Sequence, residues 1–127
     1  MSINFEVSDT LEPLKHTATA LQLFRYSAVT WNPHRIHFDE PYAREEGHRG
    51  LALHSHLRAA LALRCVTEGL GPQWRVTKFA YRLRKPVYAP TDLAYTARVR
   101  RDRVFDDLAD LERRLRDMAK PAEGGGE

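Results

Sequence analysis

The apolar and polar positions open on a period-two run, Ile3, Phe5 and Val7, which predicts a first strand within residues 1–16, closed by Pro13. In TATALQLFRYSAVT, residues 17–30, Leu21, Phe24 and Ala28 fall at helical spacing, with Thr17 as the expected N-cap. Asn32-Pro33 breaks that regularity. The stretch from Trp31 to Gly50 is rich in His, Arg, Asp and Glu and punctuated by Pro33, Pro41 and Gly47, so it reads as a loop holding one short helix around Glu40 to Glu45. The clearest helix is SHLRAALALRCVTE, residues 55–68, where Leu57, Leu61 and Cys65 are joined by Ala60 and Leu63. More than one of its faces is apolar, as in a helix enclosed by other elements. Gly69 and Gly71 with Pro72 are its expected stop. Two alternating runs follow, Trp74 to Leu83 and Leu93 to Val99, separated by a loop from Pro86 to Pro90. Farther on, Leu108, Leu111, Leu115 and Met118 return to helical spacing, and AEGGGE is a tail. The element order predicts an α+β fold, with helices on one side of a mostly antiparallel sheet.

With 127 residues, the chain has the length of one domain, placed at 1–120 with a flexible tail at 121–127. Hydrophobic residues at 43% and charged residues at 29% exclude a disordered or low-complexity chain. No run of about 18 apolar residues spans a membrane. The polar, acidic MSINFEVSDT is not expected to act as a signal peptide. The single Cys65 excludes a disulfide framework within one chain and a cysteine-built zinc site, and it fits a reducing compartment such as the cytoplasm. Twenty basic against seventeen acidic residues leave a net charge of +3 without a basic face, so no nucleic-acid partner is expected. A small anionic ligand suits this balance better than a polyanion.

Three groups of residues carry candidate chemistry. In Asn32-Pro33-His34-Arg35-Ile36-His37, His37 exchanges a proton near neutrality, while Asn32 offers an amide that orients water or a carbonyl but takes no proton. Solvated or helix-capping histidines are the plain alternative. Gly50-Leu51-Ala52-Leu53-His54-Ser55 runs into the long helix. If Ser55 starts it, the Ser55 amide lies at the positive end of the helix dipole, an oxyanion-hole arrangement. The alternative is an ordinary Ser N-cap. His34, His37, His54, His56 and Asp39 could in principle ligate zinc, but their spacing matches no zinc pattern and no metal is expected. Arg82, Arg84 and Lys85 could meet phosphates, or could simply keep a strand edge solvated.

The stretch LFRYSAVTWNPHRIHFDEPYA, followed about a dozen residues later by GLALHSHL, resembles the MaoC-like hydratases and dehydratases of the hotdog fold. In particular it resembles the branch of mesaconyl-CoA and itaconyl-CoA hydratases and 3-hydroxyacyl-thioester dehydratases. The resemblance implies a curved antiparallel sheet wrapped around the 55–68 helix, with a further strand after Val99, which we assign to Ala109–Arg116 against its helical propensity. It implies pairing with a second hotdog unit as a homodimer or heterodimer. His37 falls on the family's catalytic histidine, and Asn32 on the position where the wider family carries Asp. The Ser55 amide, beside His54 and His34, falls on the amide that binds the thioester oxygen. Arg82, Arg84 and Lys85 would serve the coenzyme A phosphates. The substrate would be a coenzyme A or carrier-protein thioester, with no other cofactor. The helix entrance departs from the family's His-Gly-Pro, reading His54-Ser55-His56; a left-handed backbone there would be costly for serine. Two other functions fit the same residues: a thioesterase using Asp39 or Glu40, or a non-catalytic acyl-binding partner subunit.

Overall fold

The computed structural model describes residues 5–100. Along the chain stand β1 (Leu14–Ala18), α1 (Ala20–Thr30), a 3-10 turn (Arg35–His37), α2 (Glu40–Glu45), β2 (Leu51–Ala52), α3 (Ser55–Leu70), β3 (Tyr88–Ala89) and β4 (Thr91–Tyr95). The described strands form two antiparallel ladders. One pairs β1 with β4, from Leu14 opposite Tyr95 to Ala18 opposite Thr91, and the other pairs β2 with β3.

The first ladder runs on past Pro13. Ser8 and Leu11 donate backbone N–H groups to the carbonyls of Val99 and Ala97, Val99 donates back to Asp9, and Thr10 bridges Arg98. Proline, which lacks a donor, interrupts the strand without ending the pairing. The first regular strand therefore follows Pro13 rather than preceding it; Phe5 and Val7 are not in a strand, and Ile3 lies outside the described residues. Thr17, expected to cap α1, sits in β1 opposite Asp92, to whose carboxylate its hydroxyl donates at 2.7 Å. Thr19 is the N-cap, accepting from the Gln22 N–H.

The core gathers Ala18, Leu23, Leu51, Leu53, Leu57 and Leu61, with Leu14, Tyr26, Val87 and Leu93 packed at its margin. On α3 the buried face is Leu57, Ala59, Leu61 and Cys65, while Ala60 is exposed and Leu63 half-buried. On α1 the core takes Leu23 and Ser27, leaving the expected stripe of Leu21, Phe24 and Ala28 exposed. Helical period alone identifies an amphipathic element but not which of two apolar stripes meets the core.

Two further expectations shift. The helix passes through Gly69 to Leu70, and Gly71, with φ of 86°, is its C-cap. The run Trp74 to Leu83 has no ladder partner among the described residues and leaves Trp74, Val76, Phe79 and Tyr81 exposed, whereas the expected Pro86–Pro90 loop contains β3. A strand needs a neighbour as well as an alternating sequence. The assignment of Ala109–Arg116 and the 121–127 tail lies outside the described residues.

Gly69 is where Leu11 crosses α3: a β-carbon there would stand 2.9 Å from the Leu11 β-carbon. Gly→Ala inside a helix ordinarily stabilises by about 1 kcal/mol. Here overpacking costs about 1–3 kcal/mol and outweighs that gain. Gly69→Ala is expected to lower the melting temperature, and a rise would show that the N-terminal arm yields without cost.

Candidate active site

The site is built where α1 ends. Asn32 precedes Pro33, which drives it out of helical geometry and stops α1. Trp31 closes the helix in the left-handed region at φ 52°, ψ 41°, and the N–H groups of Trp31 and Asn32 both donate to the Ser27 carbonyl. A bulky residue at positive φ is strained by about 1–2 kcal/mol, and its indole is 92% exposed. Asn32 then turns the loop inward: its Oδ1 accepts the His34 N–H at 3.2 Å. That commits the amide oxygen and leaves the NH₂ donor free among the described residues.

Three residues on, the turn ends on His37, which is only 7% exposed. Its Nδ1 lies 2.6 Å from the Ala52 carbonyl. A carbonyl only accepts, so Nδ1 carries the proton and Nε2 keeps the lone pair. Burial pushes the His37 pKa below the ordinary imidazole value, more strongly than the Ala52 carbonyl raises it, and His34 and His48 lower it further. The result is a neutral base with a defined tautomer.

His54 packs face to face on His37, with ring centroids 3.7 Å apart and planes 20° from parallel. Its ring is 1% exposed, and its Nε2 is 2.7 Å from Ser27 Oγ. Burial, with His37 and His56 adding to it, lowers its pKa to about 4. His34 meets His37 edge-on at 5.7 Å and stays exposed. Ring lone pairs lie in the ring plane, so two nearly parallel imidazoles cannot converge on an ion at the about 2.0–2.1 Å of a zinc–nitrogen bond. Among the described residues, no three His, Cys, Asp or Glu side chains gather to hold a metal.

The N-terminus of α3 adjoins this pair. His54 is the N-cap residue, with φ −59° and ψ 136°, and no side chain caps the helix. Ser55 is therefore the first helical residue rather than the cap, and it is not left-handed. Its N–H, one of the four that a helix leaves unsatisfied internally, belongs to the residue that follows His54 of the stack. The expected residues Asn32, His34, His37, His54 and Ser55 thus come from two separated segments, 32–37 and 54–55, joined by the Ala52 hydrogen bond and the ring stack.

The sequence did not single out Ser27 or the Ala52 carbonyl. The sign of Ser27 was its place one turn after Leu23, a hydroxyl on the buried face of an apolar helix. An apolar groove of about 390 Å³ runs beside the site, lined by Phe24, Ala28, Trp31, Pro33 and Phe38, with Ser27 and Asn32 at its polar end. Arg82, Arg84 and Lys85 are exposed on the 74–87 segment, where the Arg58 guanidinium donates to the Lys85 carbonyl at 2.8 Å. Asp39 has one carboxylate oxygen on Arg35 and the other capping α2 through the Tyr42 N–H; the Arg35 hydrogen bond, followed by that N–H, holds its pKa below the usual range. Glu40 pairs with Arg44. No helix among the described residues is long and apolar enough to cross a membrane.

The chain has relatives among known proteins. Over 83 residues the chain is 37% identical to the mesaconyl-C(4)-CoA hydratase of Chloroflexus aurantiacus, which covers 65% of this chain and 29% of that protein. Its structure superposes with a TM-score of 0.70, at 22% identity, on a chain of the ChsH1–ChsH2 complex from Mycobacterium tuberculosis, covering 80% of this chain and 78% of that one. The hotdog fold expected from sequence is thereby shown. A profile of the hydroxyacyl-thioester dehydratase type 2 family matches residues 4–89, the segment that holds every element of the site, and the chain belongs to that family.

Proposed function

We propose that the chain is an acyl-thioester hydratase/dehydratase that adds water to, or removes it from, the α,β bond of an acyl-CoA or carrier-protein thioester. The observation that carries this reading is the buried His37, protonated at Nδ1 by its bond to Ala52 and set against the open N-terminus of α3. In hydration, Nε2 takes a proton from water as the water oxygen adds to the β-carbon. The Ser55 N–H and the helix dipole steady the enolate oxygen that forms on the thioester. The Asn32 NH₂ group orients the water or the thioester, and the proton returns from the imidazolium to the α-carbon. Dehydration reverses these steps. His37, Asn32 and Ser55 carry the reaction, with His34 at the mouth.

The family and the mesaconyl-C(4)-CoA hydratase relative support the acyl-thioester substrate class, and the setting proposed with it is fatty-acid or related acyl-CoA metabolism in the cytoplasm. Arg82, Arg84 and Lys85 are the cations proposed for the coenzyme A phosphates. The working unit is a pair of hotdogs, this chain with a copy or with a related chain. The exposed Trp74, Val76, Phe79 and Tyr81, on a segment without a ladder partner among the described residues, support that pairing. So does the fold shared with a chain of a two-protein complex.

A thioesterase is disfavoured because Asp39 is committed to Arg35 and to the cap of α2, and Glu40 to Arg44. Incubating the purified chain with a series of enoyl-CoA thioesters tests the assignment: a hydroxyacyl product is expected, with no release of free thiol. Thiol release without a hydroxyacyl product would establish the thioesterase. Activity gained on adding a second hotdog chain, and kept when His37 of this chain is replaced by alanine, would establish the non-catalytic partner-subunit reading.

A further inference from the structure

A single hydrogen bond fixes one atom of a ring and leaves the ring free to turn about the bond. His37 has that bond, from Nδ1 to the Ala52 carbonyl at 2.6 Å. Its plane is fixed by something else, the face of His54 at 3.7 Å and 20°. His54 is fixed in turn. Tyr26 packs against it at 4.7 Å, and Ser27 Oγ holds its Nε2 at 2.7 Å. The Nδ1 of His54 is buried without a partner. An orphaned buried N–H is costlier than an orphaned lone pair, so the His54 proton sits on Nε2 and is donated to Ser27.

We propose that Ser27 and His54 form a positioning pair that aims the His37 base, the serine hydroxyl locking the His54 ring and that ring locking the plane of His37. The role rests on the proposed hydratase function, but the geometry does not. With its ring enclosed, His54 contributes from behind His37 rather than by touching a substrate. The charged and titratable neighbours are Tyr26 packed on His54, His34 edge-on to His37, His48 acting on His37 through its charge, and His56 acting likewise on His54.

His54→Leu keeps the bulk and removes the flat face, while Ser27→Ala removes only the lock. In the full chain, both are expected to lower kcat by about 10–100-fold while KM stays within about twofold, because the base is misaimed while the Ser55 N–H and the apolar side chains of the groove stay in place. Nitrogen-15 NMR of the imidazoles provides a readout that needs no activity. The wild-type chain should show His37 protonated at Nδ1 and His54 at Nε2, and both variants should keep the His37 tautomer while its ring signals shift and their relaxation reports a ring turning about the Ala52 bond. If the wild-type chain hydrates nothing, the hydratase reading fails, and the NMR signature alone still decides the pair. If His54→Leu fails to fold, Ser27→Ala decides it by the same readouts. An unchanged His37 signature, or a loss confined to KM, would overturn the proposal.

Discussion

Replacing His37 with alanine is expected to reduce hydration of an enoyl thioester by about 10²–10⁴-fold, the usual contribution of a positioned general base. The Ala52 carbonyl would lose its donor, which costs about 1–3 kcal/mol of stability. His37→Gln serves as the companion variant, because a glutamine amide can still donate to that carbonyl but cannot accept a proton. Both variants should be folded and inactive. The pH dependence carries a sign that follows from burial. Nε2 works as a base only while His37 is neutral, so kcat/KM falls as pH drops through its pKa. Burial places that pKa below the ordinary 6.5. The acid limb of the wild-type profile should therefore lie at lower pH than that of a solvent-exposed imidazole. Wild-type rates in His37→Gln, or an acid limb above 6.5, would remove His37 from the mechanism.

The second large effect comes from an atom of the backbone. Ser55→Pro deletes the N–H proposed to hold the thioester oxygen, at a position where the helix tolerates the change. Proline is favoured at the first helical residue, whose N–H has no intrahelical partner. The residue before a proline must be extended, and His54 already has φ −59° and ψ 136°. The variant is expected to keep the wild-type melting temperature and to lose about 10²–10³-fold in kcat, the effect of removing one oxyanion donor. Ser55→Ala, which retains the amide, should remain close to wild type. If Ser55→Pro is folded and fully active, the oxyanion site lies elsewhere. If Ser55→Ala is as damaged as Ser55→Pro, the hydroxyl rather than the amide is at work.

The same contrast between side-chain chemistry and backbone placement explains which parts of the molecule were legible in advance. The short helix expected around Glu40 to Glu45 stands at those residues, with Asp39 as its cap and Pro41 in its first turn. The start of α3 at Ser55 was likewise read correctly. The period of Leu21, Phe24 and Ala28 identified α1 as a helix but not its buried face, which is Leu23 and Ser27. The run from Trp74 to Leu83 alternates like a strand, but alternation specifies a pleat and not a partner.

Local sequence decided the chemistry available: an imidazole near neutrality at 37, an amide at 32, and a helix entrance at 55, each recognisable because residue type and short spacing are properties of the chain itself. Only the tertiary structure decided that the carbonyl of Ala52 would select the His37 tautomer, that His54 would lie flat against it, and that Ser27 would reach His54 from another helix. Those contacts join residues 15 to 27 positions apart. Their geometry depends on how α1 and α3 pack about Leu23, Leu57 and Leu61, which no local pattern encodes.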